Sequence, residues 1–279
     1  MVALALNYYR RNPAAAITLL RDPIGAWWRI YDRAGMYLDG LRPRFAYRPD
    51  DDWEARLLAL LGAAPEASGL DDFWALWPEI VALLEAKGFR TGPQSFFAGN
   101  DGDPEFVRAL WHVARHLRPE KIVETGVAHG VTTRFILEAL RHNGSGNLWS
   151  IDLAPTDPAM AAQVGAAVQG RAAERWTMIE GSSRRRLPAL LKAIAPIDIF
   201  IHDSLHTTPH LRFELEAAWP ALRAGGYIVV DDIDTNRAFR DFLASHPEAT
   251  ALVCQSQPIR PDLRRPDQRG IFGIVRKPT

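Results

Sequence analysis

The stretch VETGVAHGVTT, residues 123–133, decides the fold of this 279-residue chain. Its first residues end a short apolar run that is typical of a buried strand, and its last residues begin a helix. Gly126 and Gly130 lie between the two and permit a tight turn with a close approach of backbone to ligand. A dinucleotide-binding turn would have the spacing G-x-G-x-x-G, and that spacing does not occur here. The stretch therefore predicts a strand, a ligand-binding turn and a helix.

The chain after residue 119 alternates apolar runs that are typical of strands with helical patterns. One of these helical patterns is DPAMAAQVGAAVQG, residues 157–170. The alternation predicts a doubly wound α/β fold with a mostly parallel sheet of seven strands. Residues 250–256 and 270–277 are the last two predicted strands. Because no helix lies between them, we expect an antiparallel pair at one edge of the sheet.

The first 92 residues differ from the rest because their apolar residues recur at helical spacing. We interpret residues 1–92 as a helical extension or lid, and residues 93–279 as the α/β domain. The helical patterns of the extension and of the start of the domain cover residues 22–41, 51–62, 70–88 and 103–117. Six of the nine tryptophans precede residue 119, which favours a packing surface, although such helices also line substrate clefts.

Composition excludes several classes of protein. Lys plus Arg and Asp plus Glu both number 33, so no excess of positive charge indicates a nucleic-acid partner. No apolar run reaches the roughly 18–20 residues of a membrane span, and the first residues lack the charge pattern of a signal peptide. The single cysteine, Cys254, excludes an intramolecular disulfide and suits a reducing compartment. We therefore expect a soluble cytoplasmic protein, and a homo-oligomer stays open.

Acidic and small polar residues follow the first three predicted strands, at the edge where α/β sheets bind ligands. Glu124 ends the first strand, Asp152 ends the second and Ser182 follows the third. An acid in the place of Asp152 accepts hydrogen bonds from both hydroxyls of a ribose, although on its own it could equally be a cap. The order of these residues at successive strand ends indicates a nucleotide-like cofactor.

The stretch IDIFIHDSLHTTPHLRFE, residues 197–214, contains an acid and an imidazole just beyond an apolar strand. Asp203 follows the strand, and His206 lies three residues further on. Either both take part in chemistry, or Asp203 caps the next helix and His206 is an ordinary loop residue. Nearby features are interpreted as structural: His202 as a packed or hydrogen-bonded residue, His210 as a surface or supporting histidine, and Arg184–Arg186 as a solvated helix face.

With these motifs in this order, residues 93–279 resemble the class I S-adenosylmethionine-dependent methyltransferases. LRAGGYIVVDD, residues 222–232, is similar to the Gly-Gly turn that precedes the fifth strand in that family. The segment IDIFIHDSLH resembles the D-x-x-x-x-D-G-D-H segment of a subgroup with sugar and macrolide O-methyltransferases and cephalosporin hydroxylase-like proteins. The positions that depart from the usual pattern are Thr125, His129, His202, Ser204 and Leu205.

The resemblance implies a Rossmann-like domain that binds S-adenosylmethionine and methylates a hydroxyl of a small molecule such as a sugar or natural product. The cofactor residues that it implies are Glu124, Gly126, Gly130, Thr132, Asp152, Ser182 and Asp203. From its metal-dependent members it implies that Asp203, Asp231 and Asp232 hold Mg²⁺ or a similar ion. Strands four and five are neighbours in such a sheet, so their terminal carboxylates can converge. The alternative is that these acids merely solvate the strand ends.

The same chemistry makes Asp203 and His206 the candidate catalytic residues. A hydroxyl is a poor nucleophile until it loses its proton, and metal coordination and a nearby imidazole both promote that loss. Two other functions stay open for this fold. One is a methyltransferase that needs no metal, and the other is a cofactor-binding protein without catalytic activity.

Overall fold

The computed structural model of the protein describes residues 23–41, 45–64, 69–89, 103–153, 155, 158–256 and 270–279. The strands of its central sheet are β1 Lys121–Thr125, β2 Asn147–Asp152, β3 Trp176–Glu180, β4 Ile197–His202, β5 Leu222–Val230, β6 Thr250–Gln255 and β7 Ile271–Arg276. Their order across the sheet is β3-β2-β1-β4-β5-β7-β6.

The pairing of the strands agrees with the sequence pattern. Strands β1 to β5 pair parallel, whereas β7 pairs antiparallel with both β5 and β6. The predicted parallel sheet and the antiparallel pairing of the last two strands are therefore confirmed. Since β1 lies between β2 and β4, the chain changes direction across the sheet at β1, and a ligand crevice is expected beyond its carboxyl end.

The helices surround the sheet. They are α1 Pro23–Gly40, α2 Trp53–Leu61, α3 Leu70–Ala86, α4 Pro104–Leu117, α5 Val131–Asn143, α6 Pro158–Ala161, α7 Ser183–Ile194, α8 Thr208–Ala221 and α9 Ala238–Ser245. The four helical patterns predicted before residue 119 correspond to α1–α4. Asp103 caps α4 as its sequence suggests, because its carboxylate accepts hydrogen bonds from the N–H groups of Glu105 and Phe106.

Helices α2 and α3 pack into the core of the sheet. One buried cluster joins Trp53 of α2 and Phe73 of α3 to Trp111, Phe135 and Phe272 of the α/β domain. Trp53 meets Phe272 edge to face, and Phe73 lies against Phe135 with ring centroids 4.8 Å apart. The aromatic residues of this cluster therefore form packing surface, whereas Trp27 of α1 and Trp74 of α3 are exposed. The predicted domain boundary after residue 92 falls outside the described residues and stays a prediction.

Helix α1 lies on α8 through its polar side. The Asp39 carboxylate accepts hydrogen bonds from the backbone N–H and the hydroxyl of Thr208, at 2.7 and 2.8 Å. Gly35 allows close packing, since a side-chain carbon there would lie 3.1 Å from the Pro209 ring. The first turn of α8, just after the loop that contains His206, is therefore held by α1. Within the described residues, no helix combines the length and the hydropathy that crossing a membrane requires.

The helix predicted over residues 157–170 is wrong in most of its length. Helix α6 ends at Ala161, and a series of turns follows. The reason is that this segment packs against the glycine turn: the Gly165 N–H donates to the Ala128 carbonyl, and the Ala167 N–H donates to the His129 carbonyl. Gly165 has a φ of +73°, which a continuous helix does not allow.

Candidate active site

The turn after β1 is held against the end of β4. Thr125 pairs with His202, so Gly126 and Asp203 are the next residues of two adjacent strands. Gly126 has a φ of +87°, and a side-chain carbon there would collide with the backbone carbonyl of Asp203. The predicted tight turn is present. The close approach that demands glycine is, in this structure, an approach to the chain's own backbone.

Gly130 ends the same turn and begins α5. Its φ is +81°, and a side-chain carbon there would lie 3.0 Å from the Cα atom of Gly165. Thr132 follows in the first turn of α5 and is buried. Ser182 precedes α7 at the carboxyl end of β3 and is also buried, and its side chain makes no capping hydrogen bond. These predicted cofactor residues therefore all lie at the carboxyl side of the sheet.

Asp152 fixes the shape of the glycine turn. Its Oδ2 atom accepts hydrogen bonds from the N–H groups of Val127 and Ala128, at 2.7 and 3.1 Å. Burial raises the pKa of its carboxyl, although these backbone N–H groups act in the opposite direction. One oxygen of Asp152 therefore binds the backbone of the glycine turn and not the start of a helix. That contact also places the residue beside the turn, where a cofactor's ribose would lie in such folds.

Glu124 is completely buried at the end of β1. Its Oε2 atom accepts hydrogen bonds from the hydroxyls of Thr133 and Ser150, at 2.9 and 2.6 Å. Its Oε1 atom is buried and has no hydrogen-bond partner among the described residues. Burial, opposed by these hydroxyls, raises the pKa of Glu124 to about 7. Neither partner was predicted from the sequence, although Ser150 lies opposite Glu124 on the adjacent strand β2.

Two acids and one imidazole meet beyond β4 and β5. His202 pairs with Val230, so Asp203 and Asp231 directly follow paired residues of adjacent strands. One ligand atom each from Asp203, His206 and Asp231 lie within 4.8 Å of one another, and all three residues are partly exposed. The His206 Nε2 atom is 3.9 Å from the Asp203 Oδ1 atom. The structure thus brings together two of the three predicted metal ligands and the predicted base.

The electrostatics of this group favour a cation. Burial, and then the charge of neighbouring acids, raises the pKa values of Asp203 and Asp231 well above the ordinary aspartate value. Burial likewise lowers the pKa of His206 to about 4, so its imidazole is neutral at pH 7. The His206 Nδ1 atom is buried and has no hydrogen-bond partner in the described part of the chain. Two crowded carboxylates beside a neutral imidazole are a donor set that suits a divalent ion.

Asp232, the third predicted ligand, does not belong to this group of three. Its backbone is left-handed, with a φ of +48°, and its carbonyl accepts hydrogen bonds from the N–H and hydroxyl of Thr235. Its charge nevertheless contributes to the raised pKa values of Asp203 and Asp231. Asp232 therefore adds negative potential beside the group.

Behind the group lies Glu214 of α8, which the sequence analysis missed. Its Oε2 atom is 2.7 Å from His202 Nδ1, and its Oε1 atom is 2.9 Å from His210 Nε2. The prediction that His202 is packed and hydrogen-bonded is confirmed. His210 is buried, so the surface alternative for it is wrong. A signal was present, because Glu214 lies on the same buried stripe as Leu211 and Leu215.

Arg184 corrects the prediction of a solvated basic face. Its guanidinium donates to the Asp32 carboxylate of α1 at 3.3 Å and lies over the ring of Trp28, 4.6 Å from the centroid. It also donates to the Pro209 carbonyl. The prediction is wrong for Arg184 because its partners on α1 and α8 are distant in sequence, whereas Arg185 and Arg186 are exposed as predicted.

Comparison with known proteins bears on these features. Residues 123–233 match the family model described as a methyltransferase domain. This part of the chain is similar to methyltransferase domains. The match begins in β1 and ends just after Asp231, so it covers the glycine turn and the acidic group. The predictions of a class I methyltransferase fold and of an enzyme that transfers methyl groups are confirmed. Among curated protein sequences, none matches this chain.

Several solved structures share the fold of the α/β domain. TomG, an O-methyltransferase from Streptomyces achromogenes involved in tomaymycin synthesis and solved with SAM, has a TM-score of 0.51 at 18% identity, covering 64% of this chain and 81% of that chain. An O-methyltransferase from Bacillus cereus in complex with SAH has a TM-score of 0.52 at 15% identity, covering 72% and 89%. SAH-bound PaMTH1 from Podospora anserina has a TM-score of 0.51 at 16% identity, covering 84% and 100%.

Proposed function

We propose that the protein is an S-adenosylmethionine-dependent O-methyltransferase that uses a divalent ion. Its acceptor is a hydroxylated small molecule such as a sugar or natural product, and the balanced charge of the chain argues against nucleic acid. The observation that carries the proposal is the group of Asp203, His206 and Asp231 beside the glycine turn. The names of TomG and the Bacillus cereus protein, both O-methyltransferases, support the choice of oxygen as the accepting atom.

The cofactor half of the site fits S-adenosylmethionine. The Oε1 atom of Glu124 is a buried acceptor that needs a donor, which the cofactor's ammonium group would provide. When bound, S-adenosylmethionine supplies an electrophilic methyl group on a sulfonium. The chain's contribution is to orient it, and alignment of reacting atoms accounts for much of the rate in such transfers. The residues proposed to hold it are Glu124, Gly126, Gly130, Thr132, Asp152, Ser182 and Asp203.

The acceptor half fits Mg²⁺ or a similar ion. Asp203 and Asp231 offer hard oxygen donors on neighbouring strand ends, and burial and the charges of neighbouring acids raise their pKa values. When bound, the ion lowers the pKa of a coordinated hydroxyl. We assign Asp203 and Asp231 as the ligands, with Asp232, the third predicted ligand, adding charge beside them.

His206 is the proposed general base. Its neutral imidazole accepts a proton, and it lies within the same group as both acids. The hydroxyl proton would move to a ring nitrogen of His206 as the acceptor oxygen attacks the methyl carbon. The bond from that carbon to the sulfonium sulfur would break, and neutral S-adenosylhomocysteine would leave. Asp203, 3.9 Å from the Nε2 atom, stabilises the imidazolium that forms. Asp203 and His206 together therefore account for the predicted catalytic pair.

A transfer assay tests the proposal. Labelled S-adenosylmethionine is offered with a panel of hydroxylated small molecules, first in excess chelator and then after addition of Mg²⁺ or Mn²⁺. The proposal expects transfer to oxygen that the chelator abolishes and the metal restores. Full transfer in chelator would favour the metal-independent methyltransferase instead. Failure of calorimetry to detect binding of the cofactor or its demethylated product would contradict the whole assignment.

A further inference from the structure

One buried carboxylate gathers residues from both sides of the site. Besides His202 and His210, the Glu214 carboxylate accepts hydrogen bonds from the Thr125 hydroxyl at 2.6 Å and the Ser204 hydroxyl at 3.3 Å. Glu214 itself has no exposed surface. Thr125, His202 and Ser204 are three of the five positions that depart from the methyltransferase pattern. These departures are therefore not independent, since all three share Glu214 as a partner.

A buried charged network of this kind contributes little net free energy to the stability of a fold. Burial opposes the ionisation of Glu214, yet its neighbouring histidines hold its pKa well below the ordinary value, so the carboxylate stays charged. Replacing a buried ion pair by apolar residues of similar volume is often neutral or stabilising. A charge retained in the interior is better explained by the geometry that it imposes on its partners.

Those partners are the residues that flank the proposed site. Thr125 precedes Gly126, the residue that packs on the Asp203 backbone. Ser204 follows Asp203 directly. The His202 ring lies perpendicular to the His206 ring, with centroids 5.4 Å apart and an interplanar angle of 89°. One carboxylate thus ties the glycine turn to the loop that contains both Asp203 and His206.

We propose that Glu214 is a positioning residue that fixes the loop Asp203–His206 and the orientation of the His206 imidazole. The proposal rests on the proposed function for what that loop does. It does not make Glu214 a ligand or a base. Residues that orient a ligand through a hydrogen bond typically change metal affinity or activity by about 10–100-fold when they are replaced.

The rival explanation is that Glu214 only stabilises the fold, and the chain offers a matched control. Glu54 of α2 contacts a fully buried histidine, His112 of α4, at 2.7 Å, the same distance as Glu214 to His202. Glu54 also pairs with Arg108 of α4. Glu54→Gln therefore removes a carboxylate contact to a buried histidine that joins two helices, and it tests stability without touching the site loop.

The experiment compares the full-length wild type, Glu214→Gln and Glu54→Gln by two measurements. The first is the imidazole NMR signal of His206 in metal-free protein, assigned through His206→Ala. The second is the affinity for Mn²⁺ alone, from the electron paramagnetic resonance of free Mn²⁺. Thermal unfolding gives the stability of each variant. We expect Glu214→Gln to move or broaden the His206 signal and to weaken Mn²⁺ binding at least about tenfold, and Glu54→Gln to change neither.

Each outcome decides the matter. If Glu214→Gln leaves the His206 signal and the Mn²⁺ affinity unchanged, or if Glu54→Gln alters them equally, the positioning role is overturned. If wild type binds no Mn²⁺, the metal part of the proposed function fails, and the NMR signal alone decides the role of Glu214. Should Glu214→Gln fail to fold, Ser204→Ala removes one hydrogen bond from the network. A shifted His206 signal in that folded variant supports the proposal, and an unchanged one overturns it.

Discussion

In the first half of the candidate site, at the ends of β1 and β2, Glu124 and Asp152 accept hydrogen bonds from the protein itself. In the second half, at the ends of β4 and β5, Asp203 and Asp231 lie close to each other. Backbone N–H groups or hydroxyls bind one oxygen of each acid in the first half. In the second half, burial and the charges of neighbouring acids raise the pKa values of both Asp203 and Asp231. The same residue type thus serves two purposes along one sheet edge.

The two halves of the proposed site therefore differ in whether the protein's own hydrogen bonds fix their shape. The cofactor half has its shape fixed by hydrogen bonds and needs only a ligand that matches it. The proposed acceptor half contains repulsion that a divalent ion would relieve, so we expect it to lower the stability of the metal-free protein. Substitutions at residues that join the two halves should therefore lower the stability most. Substitutions that relieve the repulsion should stabilise the protein and remove its function.

The largest effect is expected at Gly126, where the two halves touch. Gly126→Ala should lower the free energy of unfolding by about 4 kcal/mol, since it adds backbone strain at positive φ to a collision with the Asp203 carbonyl. Urea denaturation measures this. Gly144→Ala is the control, because Gly144 has a φ of +75° but nothing within 4 Å of the added carbon. It should lose only about 1 kcal/mol. Equal losses in the two variants would mean that the halves do not touch at Gly126.

The next effect concerns the base in the acceptor half. His206→Ala should reduce turnover by about 10²–10⁴-fold, the usual contribution of general-base catalysis, while binding of S-adenosylhomocysteine is unchanged. Single-turnover kinetics and calorimetry measure the two. His142→Ala, at a histidine on the far end of α5, should leave both unchanged. Wild-type turnover in the His206 variant would place the base elsewhere.

A smaller effect of opposite sign is expected from relieving the repulsion. Asp231→Asn should raise the stability of metal-free protein at pH 8 by about 1 kcal/mol, because it removes the repulsion between two neighbouring carboxylates. The same variant should lose any increase in melting temperature that Mg²⁺ gives the wild type. Asp241→Asn is the contrasting control, because the Asp241 carboxylate is paired with Arg237 and has a lowered pKa. Destabilisation by Asp231→Asn would contradict the idea of a strained acceptor half.

The smallest effect is the dependence of that gain on pH. Because the folded-state pKa values of Asp203 and Asp231 are raised, folded protein binds more protons than unfolded protein, and stability falls as pH rises through the raised values. Below the ordinary aspartate pKa of about 3.9, the acids are protonated in both states. The stability gain of Asp231→Asn should therefore be small at pH 4.5 and grow towards pH 8. A gain that is constant with pH would show that charge is not its cause.

The sequence was sufficient to predict the sheet and to place the candidate residues at one edge of it. Strands such as Ile197–His202 are short, apolar and followed by an acid, so a local pattern identifies both the strand and the residue that ends it. The order of Glu124, Asp152 and Ser182 at successive strand ends followed from the same logic. Parallel strands bring their carboxyl ends to one edge, so local patterns alone give a correct edge.

What the sequence did not predict depends on contacts between distant residues. The sequence alone did not single out Glu214 of α8, because its partners Thr125 and His202 lie on strands β1 and β4. Arg184 looked solvated for the same reason, since Asp32 is 152 residues away. Helical composition around Gly165 outweighed the turn that tertiary hydrogen bonds impose there. Propensity describes a segment, whereas these features belong to pairs of segments.

The central claim is that Asp203 and Asp231 hold a divalent ion beside the cofactor turn. The most direct test is anomalous diffraction at the manganese edge from crystals grown with S-adenosylhomocysteine and Mn²⁺. We expect an anomalous peak about 2.1 Å from a carboxylate oxygen of each acid. S-adenosylhomocysteine should lie along the glycine turn, next to the manganese ion. Bound product with no manganese peak at these two acids would contradict the claim.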